Sequence, residues 1–226
     1  VEAAGAAEVI RQKTGMNLSP YFPASKIAWL LENEEGAKEA AERHEICHGT
    51  IDSWLVFKLT EGKEYRTDYS NASRTQLFNI FDLKWDAEIC KLFGIDPANM
   101  AEVTDSDACF GETDFEGLLP HKIPIHGVLG DSHGSLFGQG CLQPGMIKST
   151  YGTGSSIMMN IGEKPILSTH GVVTSLAWKI GGKVNYVLEG NLNYTGAVIT
   201  WLKDDLQIIA SPGETGPLAK AAIQED

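Results

Sequence analysis

Three segments of the chain carry residue types at spacings that could do chemistry. The first is His44-Glu45-Ile46-Cys47-His48, a literal HExxH. On a helix its two histidines would share a face and grip zinc, with the glutamate as base for metal-assisted hydrolysis. Gly49-Thr50 stops such a helix at once, and no third histidine follows at a metalloprotease spacing, so the segment reads as a helix end with solvated side chains. The second is Tyr151-Gly152-Thr153-Gly154-Ser155-Ser156, where glycines let backbone amides approach an anion and Thr153 adds a hydroxyl. It could cradle a terminal phosphate, but it also has the form of a common hairpin turn and lacks the Gly-Lys-Ser/Thr ending of a Walker loop. The third is Asp131 in Gly130-Asp131-Ser132-His133-Gly134. An aspartate at the carboxyl end of a strand can take the proton of an alcohol during phosphoryl transfer, and an aspartate ahead of a helix can cap it. Both roles can hold together.

The elements that must position these residues follow from the hydrophobic pattern. Residues 1–14 read as a helix stopped by Gly15, and 25–31 place Ile27, Leu30 and Leu31 on one helical face. A charged amphipathic helix is expected over 34–44, and an apolar helix over 51–59 with Thr50 and Asp52 at its start. Residues 85–93 read as a further helix, closed by Gly94 and Pro97. The apolar run 123–130 predicts a buried strand that delivers Asp131, and 134–141 a small-residue helix packed on it. Beyond the turn at 142–145 the pattern changes to hairpins: one over 146–162 about the glycine turn, another over 172–188 about Gly181-Gly182. Residues 193–209 and 216–226 return to helix. A domain boundary is therefore expected near Gly140, dividing 1–139 from 140–226, and both chain ends read as cut within a helix.

With 226 residues, 42% of them hydrophobic, the chain can bury a large core. A net charge of -12 with no basic stripe repels nucleic-acid phosphates and anionic lipids, so neither nucleic acid nor a membrane surface is an expected partner. There is no apolar run of about 18 residues and no signal-peptide pattern, which makes a cytoplasmic protein the default. Cys47, Cys90, Cys109 and Cys141 form no CxxC pair and read as reduced thiols.

Taken together the motifs resemble the FGGY carbohydrate kinases. Tyr21-Phe22-Pro23-Ala24-Ser25-Lys26-Ile27-Ala28-Trp29-Leu30-Leu31-Glu32-Asn33 is similar to that family's first signature. Gly49-Thr50-Ile51-Asp52-Ser53-Trp54-Leu55, the run 67–75, Gly130-Asp131 and Tyr151-Gly152-Thr153-Gly154 follow in the family's order, and 188–202 also fits. The resemblance implies an α/β, actin-like (ribonuclease H-like) ATPase fold comprising most of the first domain and the start of the second, closing over a cleft. It implies ATP and Mg2+ as cofactors, a small sugar or polyol as acceptor, and is compatible with a homodimer. Asp131 would be the catalytic base, with a water-mediated link to magnesium. Gly152, Thr153 and Gly154 would contact the γ-phosphate, and Gly196 and Thr200 would line the nucleotide site, Thr200 replacing a glutamine. Tyr21 would contact the acceptor. The HExxH segment falls where the family ends an ordinary helix.

Two positions depart from the glycerol-phosphorylating members: Ser132 stands for glutamine and Ser156 for an aromatic. Both shorten the side chain, so Ser132, His133 and Ser156 are expected to bind additional hydroxyls of a larger acceptor, with xylulose the leading expectation and glycerol the alternative. A non-catalytic sugar-binding module is the alternative from another class. The family's N-terminal phosphate loop and C-terminal adenosine glycines lie outside this sequence, and the chain alone is expected not to turn over ATP.

Overall fold

The computed structural model describes residues 5–224, so the helical expectations at 1–4 and 225–226 fall outside the described residues. Helix α1 (Ala7–Thr14) ends as its sequence dictates, with Gly15 left-handed at φ 73° and its N–H donating to the Arg11 carbonyl at 2.9 Å. Helix α2 (Pro23–Asn33) opens on proline and buries Ala24, Ile27 and Leu31. Helix α3 is confined to Ala37–Glu42 rather than 34–44, because Gly36 takes a left-handed φ of 75° immediately before it. Helix α4 (Ile51–Leu59) forms where expected. The Thr50 hydroxyl, however, donates to the Asp52 carboxylate instead of capping the helix backbone.

Strand β1 (Arg66–Asp68) leads into the short helix α5 (Tyr69–Ala72) and a 3₁₀ turn at Ser73–Thr75. Strands β2 (Phe78–Asn79) and β3 (Lys84–Trp85) pair antiparallel, so Trp85 lies in a strand and helix α6 begins at Ala87, running to Leu92. Asp86 sets that start by accepting the N–H groups of Glu88 and Ile89 at 3.1 Å. Strand β4 (Glu102–Thr104) runs parallel to β1, and β5 (Cys109–Thr113) pairs antiparallel with β6 (Ile123–His126).

Strand β6 corrects the expectation of a buried strand reaching Gly130. It stops at His126, and three of its four residues are exposed. It pairs with β5 alone, and Pro124, lacking an N–H, cannot extend the ladder on the other side. Helix α7 (Asp131–Gly138) starts at the aspartate itself.

The second half is a four-stranded antiparallel sheet in the order β7 (Ile147–Tyr151), β8 (Ser155–Gly162), β10 (Lys183–Leu192), β9 (Val173–Ile180). Helices α8 (Gly196–Asp204) and α9 (Thr215–Gln224) follow it. The free edge of β9 is not left open. Its backbone is stitched to the first half by Thr174 N–H to the Gly15 carbonyl (3.0 Å), Leu176 N–H to Ser73 Oγ (3.1 Å) and Ser106 N–H to the Lys179 carbonyl (2.7 Å).

Three apolar clusters make the core. One joins α1, α2, α3 and α6 around Ile10, Ile27, Leu31, Leu77 and Ile89. A second, with Tyr69, Phe78, Ile80, Leu176 and Tyr186, fastens the first half to β9 and β10, with Phe78 edge-on to Tyr69 and Trp85. The third, Leu136, Met158, Ala177, Trp178 and Val187, seats α7 on the sheet.

Candidate active site

The position of Asp131 is fixed from the first half of the chain. Asp68 is fully buried at the start of α5 and collects Ser70 N–H (3.0 Å), Ser70 Oγ (2.8 Å), Asn71 Nδ2 (2.8 Å) and Ser106 Oγ (2.7 Å). Burial pushes its carboxyl above the usual range against the pull of those donors. Ser70 Oγ in turn accepts the Gly130 N–H at 2.9 Å, which sets the residue before α7. Only glycine suits position 130, since a Cβ there would stand 2.9 Å from His133 Nδ1. Asp131 then occupies the first turn of α7, where the aligned peptide dipoles favour a carboxylate, and its Oδ1 accepts the Ser132 N–H at 2.7 Å.

A cleft of about 970 Å³ brings Asp131 together with Tyr21, Ser132, His133, Gly154 and Ser156. Each of these was singled out from the sequence, and the structure brings them to one cleft, but His133 is not presented as expected. It borders the cleft while only 3% exposed, and its Nε2 turns to Ser175 Oγ at 3.4 Å. Burial, then the Arg74 and Lys148 charges, pulls its pKa down to about 3, so the ring is neutral and packs under the site instead of presenting an imidazole to an acceptor. Tyr21 is exposed at the rim, with Lys26 Nζ donating to its carbonyl at 2.6 Å.

Three residues escaped the sequence reading. Arg74 and Glu189 line the same cleft and approach to 2.6 Å, Glu189 being 5% exposed. Arg74 also lies over the Phe22 ring, and Ser156 Oγ donates to Glu189 Oε1 at 3.0 Å. Lys148, buried on β7, donates to Thr150 Oγ1 at 2.9 Å. Burial lowers its pKa, while the nearby carboxylates of Glu189 and Asp131 oppose that shift.

Gly152, Thr153, Gly196 and Thr200 lie outside the cleft lining and form a neighbouring group. The carbonyls of Gly152 and Thr153 accept the N–H groups of Gly196 (2.9 Å) and Ala197 (3.1 Å), so the β7–β8 turn caps the first turn of α8. Thr195 Oγ1 adds a bond to the Gly152 carbonyl at 3.1 Å. The N–H groups of Thr153 and Gly154 have no acceptor among the described residues and are the donors left for an anion. Thr200 is four residues beyond Gly196 on α8 and shares its face.

The HExxH reading fails on geometry. Helix α3 ends before the motif, His44 takes a left-handed φ of 55°, and its Nδ1 lies 2.7 Å from Asn99 Oδ1. His48 is buried and its backbone pairs with the Asn99–Met100 segment. The two rings share no helical face. Among the described residues no cluster of three or more His, Cys, Asp or Glu side chains could hold a metal, and no helix is long and apolar enough to cross a membrane.

Models of the N-terminal and C-terminal domains of the FGGY family of carbohydrate kinases match residues 1–138 and 147–226. The chain belongs to the FGGY carbohydrate kinase family. Its similar relatives include glycerol kinase 1 of Thermotoga maritima, 53% identical over 93% of this chain and 42% of that protein. Glycerol kinase of Carboxydothermus hydrogenoformans is 50% identical over 95% of the chain and 43% of its own length. The chain thus spans less than half the length of these relatives. Among solved structures, Plasmodium falciparum glycerol kinase with ADP superposes with a TM-score of 0.88 at 34% identity, covering 95% of this chain and 43% of that one. A Rhodospirillum rubrum xylulose kinase superposes at 0.82 with 19% identity, covering 99% and 44%, which speaks to the fold alone. That shared FGGY architecture is the α/β, actin-like ATPase fold expected from the sequence.

Proposed function

We propose that this chain is the central part of an ATP-dependent kinase that phosphorylates glycerol, with the two halves meeting at residues 139–140. The observation that supports it most is the cleft where the carboxylate of Asp131, at the head of α7, lies with Gly154 of the β7–β8 turn. In this reading an acceptor hydroxyl gives its proton to the Asp131 carboxylate as its oxygen attacks the γ-phosphorus, and the bond to the β-phosphate oxygen breaks to leave ADP. The free N–H groups of Thr153 and Gly154 hold γ-phosphoryl oxygens, while Gly196 and Thr200 on α8 border the nucleotide. Magnesium, when bound, offsets the charge on the transferred group. Such an ion asks only one or two carboxylates of the protein, so Asp131, directly or through water, fits the role without a larger acidic cluster.

Glycerol replaces xylulose as the preferred acceptor because relatives at 46–53% identity carry the name glycerol kinase, whereas the xylulose kinases match at 16–21%. The shortened side chains also lose their force as an argument for a larger sugar, since the Ser156 hydroxyl is already committed to Glu189. A substrate panel on the complete gene product tests this. Glycerol should give the highest kcat/KM, and a pentulose or pentitol exceeding it would return the assignment to a larger acceptor.

A further inference from the structure

We infer that the Thr150 hydroxyl is a further donor to the transferring phosphoryl group, and that Lys148, buried behind it, is the positioning residue that directs it. The identity of the bound group as a phosphoryl rests on the kinase reading.

Lys148 is buried without a counter-ion. It is 4% exposed on β7, a strand whose other four residues are exposed. An ammonium taken out of water is costly unless a carboxylate meets it. Among the described residues Lys148 forms no ion pair, because Glu189, two strands away on the same face, is engaged by Arg74 and Ser156. Its one hydrogen bond among those residues runs from Nζ to Thr150 Oγ1 at 2.9 Å.

The sheet register places that bond between the core and the cleft. Lys148, Met158 and Glu189 form one row across β7, β8 and β10; Thr150, Ser156 and Asn191 form the next row on the same face. Met158 packs with Leu136 of α7, so the first row is roofed by the helix that starts at Asp131. The second row lines the cleft with Asp131 and Gly154. The lysine is thus covered, while the hydroxyl it touches is open to a ligand.

An ammonium has protons to give and no lone pair to accept with. Thr150 Oγ1 is therefore the acceptor in that bond, and its own proton has no acceptor among the described residues. A hydroxyl that accepts from a cation becomes a stronger donor. It shares the cleft with Gly154, whose free N–H is assigned to the γ-phosphoryl oxygens, and an anionic oxygen there is the group a polarised donor serves best. Thr150 loses no proton in the reaction. The acceptor's proton still passes to Asp131 as the new O–P bond forms and the bond to ADP breaks.

The test uses the complete gene product. Thr150→Val keeps the branched shape and deletes the hydroxyl, Thr150→Ser keeps the hydroxyl, and Lys148→Met removes the charge. Thr150→Val should lower kcat about 100-fold, as for loss of one donor to developing charge, with the KM for glycerol within about 3-fold; Thr150→Ser should stay within about 5-fold of wild type. Lys148→Met should lose about 10-fold in kcat yet melt no lower than wild type, since it removes an unpaired buried charge. A lysine that only supports the fold gives the reverse pattern, a lower melting temperature with kcat unchanged, and that result overturns the inference. Because Lys148 acts through Thr150, the double variant should be no slower than Thr150→Val alone, and losses that multiply are equally fatal. Should Lys148→Met fail to fold, the valine and serine variants decide, and equal kcat in the two sinks the donor. Calorimetric binding of pyrophosphate separates the two readings. If wild type phosphorylates no alcohol but Thr150→Val binds pyrophosphate at least about tenfold more weakly, the kinase reading falls and the donor stands; without turnover and without that difference, both fall.

Discussion

Replacing Gly196 by alanine should damage stability and nucleotide binding together, because one backbone contact serves both. A Cβ at 196 would stand 2.5 Å from the Gly152 carbonyl oxygen and 3.2 Å from its carbon. Ordinary carbon contact is near 3.5 Å, so the turn or the helix must retreat by roughly 1 Å. Both sides are backbone, and neither can rotate away. Overpacking of this kind costs about 1–3 kcal/mol. The retreat also weakens the bonds of Gly196 and Ala197 N–H to the turn carbonyls, worth about 1 kcal/mol each. A total near 3 kcal/mol should lower the melting temperature by about 6–12 °C. The same displacement moves the N–H groups of Thr153 and Gly154, and misplacing donors to a charged phosphate, worth about 1.5–3 kcal/mol each, should weaken ATP at least tenfold. Differential scanning calorimetry of this chain and the KM for ATP of the complete gene product read the two effects. Gly138→Ala is the control, since a Cβ at the end of α7 meets nothing within 4 Å. If Gly196→Ala melts with wild type and keeps its ATP affinity, the coupling of turn and helix is wrong.

Three further outcomes follow from the same geometry. Asp131→Asn should cut turnover by at least about 100-fold, as expected for loss of a general base, while acceptor binding measured by calorimetry stays within a few-fold; unchanged turnover refutes the base assignment. His133 has a folded pKa of about 3 against an ordinary 6.5, so between those values the unfolded chain binds a proton that the folded chain refuses. Stability is therefore lost as pH falls through that window, by up to about 1.4 kcal/mol per pH unit, and urea titrations at pH 4–6 should show a shallower loss in His133→Gln; parallel slopes would contradict the burial of a neutral ring. Asp68→Ala strands the donors of Ser70, Asn71 and Ser106 in a buried site and should cost at least about 3 kcal/mol by chemical denaturation, and a loss under 1 kcal/mol would mean that those bonds do not anchor Gly130.

What the sequence revealed and what it hid divide along a physical line. Helix α4, the Gly15 cap and the two hairpins were legible because periodicity, glycine and turn chemistry act over a few residues. HExxH misled for the converse reason: its histidine spacing matters only on a helix, and the chain leaves helical geometry at His44. Strand β6 was misread as buried because an apolar run records side-chain type, whereas burial depends on what lies beside the strand. Asp131 and Gly154 were found through local motifs. Arg74 and Glu189 sit in those same motif regions, but no local rule pairs a 3₁₀ turn with a strand from the opposite half.

The glycines of the turn show how a correct position can carry an incomplete reason. Their sequence logic was access of an anion to backbone N–H groups. The structure adds an opposite polarity: the carbonyls of Gly152 and Thr153 point to α8 and satisfy its first turn, while a Cβ at Gly154 would come within 2.6 Å of the Leu192 carbonyl. Gly154 and Gly196 are thus required by backbone packing before any nucleotide arrives. In the proposed reading that packing orients the N–H groups of Thr153 and Gly154 in advance, because the carbonyls of the same peptides are already bonded at the start of α8. A loop with equal glycine content but no α8 behind it would pay the ordering entropy on binding, and its phosphate affinity should be lower for that reason.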